Sequence, residues 1–332
     1  MEHAASPTVV RFGLSLPNRA VLFGLPVQTL FDETKLAEQS GLFDSVWVGD
    51  NFLSKPRVES IVTLSALAAV TQRVKLGVVC LATFPMRHPL PLALQWGSLD
   101  IISGGRTILA VSLGGPSRYG PRFATELATM GVTDRDRIPR LKEGIDCLRL
   151  LWADGLASYD GQFYKLKDVD LQPKPVQRPL PIIIASNPGP DPAIEERALR
   201  RVARYGDGWQ TDGTAPEVFE RRWRMVREFA AECGRPGAML DSSLHLMVNI
   251  NDDRTAARRE AVEFLNHYYG EGNVSEEKLQ SWLAIGPPTA VIDKIQRFVE
   301  AGCMTLILRF AAPDQLGQLE RCVEEVLPAF EC

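Results

Sequence analysis

VKLGVVCLATFPMRHPLPLALQWGSLDIISGGRTILAVSLG, residues Val74–Gly114, is the stretch that decides the fold. The apolar run Val74–Cys80 reads as a strand that stops at a loop carrying Thr83, Arg87 and His88, a polar cluster of the kind a site needs. The helix Leu90–Ser103 ends at Gly104-Gly105 and returns the chain, so that Thr107–Leu113 lies parallel to the first strand. A strand, a polar loop at its carboxyl end, a covering helix and a second parallel strand make the repeating unit of an α/β sheet. Working outward, further strands are expected at Val9–Leu16, Ser45–Gly49, Pro181–Ala185, Gly208–Thr211, Leu244–Ile250 and Thr305–Phe310. Most are near-continuous apolar runs, as strands buried on both faces should be. Helical periodicity follows at Val27–Ser40, Ile61–Thr71, Arg137–Trp152, Pro192–Tyr205, Ala215–Cys233, Arg254–Tyr269 and Pro313–Phe330. Eight alternations predict a closed (β/α)8 TIM barrel with insertions, whose functional loops gather at the carboxyl ends of the strands.

An open dinucleotide-binding sheet is the competing architecture, and its signature is missing. No GxGxxG follows the first strand; the loop there, LPNRAVLFGLP, is long and Pro-rich. One barrel domain is therefore expected over residues 1–332, with insertions at about 159–179 and 270–288. The first looks like a small hairpin with a Pro-rich exit, and the second is a polar segment that puts Trp282 on a loop expected to be mobile. Such insertions build substrate walls or lids, or else decorate the surface or serve a dimer contact.

Composition narrows the function classes. With 45% apolar and 23% charged residues the chain reads as an ordinary globular enzyme, and a net charge of −4 argues against a nucleic-acid partner. No apolar run approaches the roughly 18 residues of a membrane span, and MEHAASPTVV lacks a secretory leader, so a cytoplasmic protein is expected. Six scattered cysteines without a CxxC pair predict reduced thiols, and no zinc or other metal site is expected, because His and Cys never cluster. The basic run Arg197–Arg204 alternates with apolar residues and reads as a solvated helix face.

Several segments taken in order make the chain recognisable. They are AEQSGLFDSVWVGDNF (Ala37–Phe52), the run from Arg87-His88-Pro89 to Arg106, RLKEGIDCLRLLW (Arg140–Trp152), YDGQFYKLKDVDLQPKPVQRPLPIII (Tyr159–Ile184) and RVARYGDGWQTDG (Arg201–Gly213). Over nearly its whole length the chain resembles the bacterial luciferase-like monooxygenase superfamily of flavin- and F420-dependent oxidoreductases. The resemblance implies the same barrel, with FMN or coenzyme F420 lying over its mouth and the cofactor phosphate near the fifth or sixth strand. Asp50 would accept a hydrogen bond from the cofactor, or else close a loop; Asn51 stands where many deazaflavin-using members have His, and an amide cannot act as a base near neutral pH.

The same resemblance places Val79, Cys80 and Ala82 behind the cofactor ring, with a non-proline cis peptide at Val79-Cys80. Ser186, Asn187, Gly208 and Trp209 fall near its phosphate, with the helix that begins at Asp191 as a further anion site. The sugar-phosphate dehydrogenase branch has a catalytic Glu where this chain has Gly115, so that branch's alcohol oxidation is not expected. His88 is a catalytic candidate or a helix-start hydrogen bonder. Phe12, Arg118, Tyr119, Trp282 and Arg309 are the expected substrate contacts: Arg118 and Tyr119 to anchor an anionic or aromatic group, Arg309 to meet substrate charge or else form a barrel-end ion pair, and the aromatic side chains pointing to a small, hydrophobic organic substrate. With FMN the chemistry would be monooxygenation fed by a separate flavin reductase; with F420 it would be hydride transfer. A homodimer is the family expectation. The rival readings are a non-catalytic flavin-binding protein on the same scaffold, and a phosphate-binding isomerase or aldolase, which would want a Lys or Glu at strand ends.

Overall fold

The computed structural model describes residues 10–189, 191–236, 241–272 and 274–330. Eight parallel strands close into a barrel: β1 Arg11–Ser15, β2 Ser45–Val48, β3 Lys75–Val78, β4 Thr107–Val111, β5 Ile182–Ala185, β6 Gly208–Asp212, β7 Ser242–Ile250 and β8 Thr305–Phe310. Each bonds to the next, and β8 closes on β1 with Arg11 opposite Thr305 and Leu14 opposite Leu308. All eight lie where the apolar runs predict them, because a strand covered by helices outside and by the barrel contents inside has no wet face.

Alternation along the strands sorts the two layers. Phe12, Leu14, Val46, Val48, Leu76 and Val78 belong to the large core shared with the helices, whereas Trp47, Ala110, Ile183 and Ile307 form a separate cluster inside the barrel. Trp47 is the plug. It needs glycine on both neighbouring strands, since a Cβ at Gly13 or Gly77 would overlap its indole ring. Its Nε1 donates to Ser45 Oγ at 2.8 Å, so the one polar atom of the plug is satisfied.

The helical layer comprises α1 Gln28–Ser40, α2 Ser60–Ala68, α3 Pro89–Ile102, α4 Pro121–Thr129, α5 Arg137–Trp152, α6 Pro192–Tyr205, α7 Pro216–Glu232, α8 Arg254–Tyr269, α9 Glu276–Trp282, α10 Pro288–Glu300 and α11 Gln315–Arg321. Three differences from the sequence reading bear on the site. The segment before β5 does form a hairpin, Ala157–Asp160 with Lys165–Val169, but Glu143 of α5 holds its turn by accepting from the N–H groups of Gln162, Phe163 and Tyr164. It braces the outside of α5 instead of walling the mouth. The polar segment after Gly270 is ordered into α9 and a short strand, Leu283–Gly286, which pairs with β7 beyond the point where β6 ends. Trp282 is therefore 2% exposed and packed, not carried on a mobile loop. Finally, the cis peptide bonds among the described residues are Gln172-Pro173 and Arg178-Pro179. Val79-Cys80 is not among them. There the chain switches neighbours instead, Val79 N–H donating to Val48 O of β2 and Leu81 N–H to Ala110 O of β4.

Candidate active site

Asp50 ends β2 as expected, but its carboxylate faces the helical layer. Oδ1 accepts from Ser60 Oγ of α2 (2.9 Å) and Arg87 Nη2 (3.1 Å); Oδ2 accepts from Thr83 N (2.9 Å) and Thr83 Oγ1 (2.7 Å). Arg87 also donates to Thr83 Oγ1 and to Glu59 at the start of α2, and its guanidinium lies 4.8 Å from the Phe52 ring. The polar loop after β3 and the acid after β2 thus form one saturated network that fixes two loops to a helix start. Glu126 of α4 adds a second clamp, accepting from the N–H groups of Phe52, Leu53 and Ser54.

The loop these clamps hold delivers Lys55 and Arg57 to the barrel mouth. Arg57 lies directly over Gly49, where any Cβ would overlap its guanidinium. It donates to Lys55 O (3.1 Å), Asn51 Oδ1 (3.1 Å) and Tyr268 Oη (3.3 Å). Asn51 spends its amide nitrogen on Ser54 Oγ, so both ends of that side chain serve the loop. From the opposite wall come Asp212 at the end of β6, His245 on the inner face of β7, and Arg309 on the inner face of β8. Arg309 Nη1 donates to Leu16 O at 2.7 Å, and its guanidinium stands 4.7 Å from the Tyr268 ring. His245 Nε2 sits 3.3 Å from Ser15 Oγ. The last turn of α8 and the end of α9 roof this space: Trp282 donates to His245 O at 3.0 Å, its ring is 5.6 Å from Tyr269, and Lys278 Nζ is 4.3 Å from the indole and 3.5 Å from Asp212.

Electrostatics follow from this crowding. Burial, with help from Arg57 and Lys278 and against Asp212, pulls the Lys55 ammonium down to about 8. Burial likewise brings His245 to about 4, so its imidazole is neutral at physiological pH. For Tyr268, burial works to raise the phenol, but Arg57, Arg309 and Arg19 outweigh it and bring it to about 8. Burial pushes the Cys80 thiol up to about 11, which leaves it protonated and a poor nucleophile.

The other expected site residues divide. Val79 and Cys80 pack against the interior cluster around Trp47, and the Ala82 carbonyl lies against Gly114, which has φ 67°. Arg118 and Tyr119 stand exposed on the loop after β4, Tyr119 at 65% and edge-on to Phe123. Several do not reach the mouth. Phe12 points into the helical core against Phe330 (5.4 Å). Trp209 faces outward, stacked on Trp223 and tilted against Phe219, with Nε1 donating to Ser186 O. Gly208 begins β6, at the far end from the mouth. His88 is the exposed N-cap of α3: its Nδ1 accepts from Leu90 N at 3.2 Å, and Tyr164 packs edge-on at 5.5 Å. Ser186 and Asn187 bond within the β5–β6 end, Ser186 O accepting from buried Arg222 and Asn187 Oδ1 from Asp212 N. The start of α6 is already served by its own acids. Asp191 caps Ala193 and Ile194 N–H, and Glu195 pairs with Arg222 at 2.8 Å, so an added phosphate would meet two carboxylates.

Lys55, Arg57, Gln210, Asp212, His245, Tyr268, Tyr269 and Lys278 escaped the sequence reading. His245 did leave a signal, since it is polar between Leu244 and Leu246, and Gln210 and Asp212 are polar at alternate positions of β6.

Comparison with known proteins places this geometry. A family model described as luciferase-like monooxygenase matches residues 10–305. The F420-dependent glucose-6-phosphate dehydrogenase of Beutenbergia cavernae is 28% identical over 323 aligned residues, covering 89% of this chain and 91% of that protein. Two solved structures share the fold. An F420-dependent secondary alcohol dehydrogenase in complex with an F420-acetone adduct has a TM-score of 0.78 at 20% identity, covering 97% of this chain and 99% of that one. A monooxygenase from Streptomyces bottropensis has a TM-score of 0.79 at 23% identity, covering 97% of this chain and 100% of that one. The chain belongs to the luciferase-like monooxygenase family.

Proposed function

We propose that this chain is an oxidoreductase whose mouth receives coenzyme F420, with reduced FMN as the rival cofactor, and that it acts on a small organic substrate. The observation that carries the reading is a pair of buried donors at the inner rim without acceptors among the described residues: Gln210 Nε2 on β6 and Arg309 Nε on β8. A buried donor left unmet costs about 1–3 kcal/mol, and a planar ring bearing carbonyl oxygens would meet both. The residues present therefore fit a flavin or deazaflavin ring. When bound, that ring supplies a hydride, or in the FMN case reacts with dioxygen. The F420-dependent relative spanning nine-tenths of the chain favours the deazaflavin.

The chain's own residues would do the rest. Gln210 and Arg309 hold and orient the ring edge. Trp282 and Tyr269 exclude water above it. Tyr268, with its phenol near 8, can hold or release a proton at Oη close to neutral pH. His245, neutral and fixed against Ser15, keeps the inner wall free of competing charge.

The FMN alternative needs a separate reductase to supply the reduced ring. Among the described residues no helix is long and apolar enough to cross a membrane, and the cysteines recorded there are free, which supports a reducing cytoplasmic setting. A homodimer is supported by the outer faces of α2 and α3, where Val62 (66% exposed) and Ile102 (62%) stand in solvent beside Leu94 and Ile101. The test is a fluorescence titration with F420 and with FMN, followed by single-turnover reduction of an added acceptor. Binding of F420 with hydride transfer is expected; binding of neither cofactor contradicts the proposal.

A further inference from the structure

We propose that the mouth holds an acidic group of the substrate, a carboxylate or a phosphate, at Lys55 beneath the roof made by α8 and α9. This rests on the reading of the mouth as the active site and names the class of substrate it takes.

Lys55 is a cation held against aromatic rings, with no salt bridge among the described residues. Its loop is pinned by Glu126 through three backbone N–H groups, and its Nζ rests against rings, 4.7 Å from Tyr269 and 5.8 Å from Phe123. Among the described residues no carboxylate pairs with it. Its surroundings add positive charge instead of cancelling it. Arg57 comes from the same loop, Lys278 from α9 and Arg309 from β8. Two acids face them: Asp212, already 3.5 Å from Lys278, and the Tyr268 phenol, which lies against Arg57 and Arg309 and carries charge only as it ionises. Glu33, which faces Arg309 from α1, is pushed up to about 8 by burial and so is largely uncharged at neutral pH.

Cations from three separate elements converging on one space repel one another. A cleft of one sign with low-dielectric walls concentrates the opposite charge. An entering anion relieves that repulsion, and the rings of Tyr269 and Trp282 beside it offer an apolar face to the rest of such a ligand. The small organic substrate expected from the sequence is on this reading an acid with an apolar body, its charge met at Lys55 and not at the exposed Arg118. Because burial holds Lys55 near 8, anion binding should be accompanied by proton uptake above that pH and should weaken as the ammonium titrates away.

The test uses the full chain without cofactor. Benzoate and inorganic phosphate are titrated calorimetrically at about pH 7 and about pH 8.5, in two buffers of different ionisation enthalpy. Wild type should bind at least one of them, with proton uptake at the higher pH, and Lys55→Met should weaken that binding tenfold or more. Lys165→Met, on the outer hairpin, should leave it unchanged. A melting curve shows that Lys55→Met is folded, and an F420 titration of the same variant should move less than twofold. Failure of wild type to bind either acid, or equal binding by Lys55→Met, overturns the proposal. So does a Lys55→Met variant that loses F420 but keeps the acid, since the cation would then serve the cofactor. Acid binding in a protein that binds neither F420 nor FMN would separate this site from the redox reading and contradict only the latter.

Discussion

Two polar clusters flank the loop from Gly49 to Glu59, and they are opposites. In the Asp50 cluster the acids are fully used: both Asp50 carboxylate oxygens are doubly engaged, and Arg87 is shared between two acids and a threonine. In the mouth cluster, cations outnumber acids, the Lys55 ammonium rests against rings, and among the described residues Gln210 Nε2 and Arg309 Nε have no acceptor. A saturated network stabilises; an unsaturated one has capacity left for a ligand. The residue that sequence resemblance picks out first, Asp50, lies in the saturated network, and the surplus lies a few residues further on.

The largest effect should come from breaking the saturated side. Asp50→Ala takes the acceptor from the Thr83 N–H and from the Thr83 and Ser60 hydroxyls and removes one of Arg87's two acids; at about 1–3 kcal/mol for each buried group left unmet it should cost several kcal/mol of stability, read by chemical denaturation. Loss of cofactor binding without loss of stability in that variant would reverse the assignment of the two clusters.

Next is Glu33, whose buried carboxyl oxygens lack hydrogen-bond partners. The folded chain keeps its proton up to about pH 8, whereas the unfolded chain releases it near the ordinary carboxylate value. Stability should therefore fall as pH rises through that window, by roughly 1.4 kcal/mol per pH unit, and Glu33→Leu should flatten the slope in urea melts. An unchanged slope would show that Glu33 ionises freely.

A smaller change sharpens the mouth side. Arg57→Met removes a cation that donates to the Tyr268 phenol, so that phenol should titrate at higher pH, visible as a shift in phenolate absorbance. No movement would mean that Arg57 does not tune this tyrosine. The smallest effect belongs to His88→Ala, which removes an exposed helix cap: about 1 kcal/mol at most, with cofactor affinity unchanged.

The barrel was legible because its strands are buried on both faces and its helices carry their own caps, such as Asp191-Pro192. The site was legible only in part, and the errors have a common cause. Trp209 and Gln210 are adjacent in sequence and point to opposite sides of the sheet, so a one-residue ambiguity exchanges a core side chain for a lining one. Arg309 fell on the inner face and does reach the mouth; Phe12 fell on the outer face and does not. Lys55 and Arg57 were invisible for a different reason. Their loop takes its shape from Glu126 and Asn18, one 74 residues from Phe52 and the other 31 from Gly49, and no local pattern records such bonds.

A crystal structure of the chain with F420 tests the central claim most directly. The account predicts the deazaflavin ring inside the barrel mouth, with an acceptor atom of its edge within hydrogen-bond distance of Gln210 Nε2 and Trp282 closing over it. A ring held elsewhere, with the Gln210 amide still unmet, would contradict it.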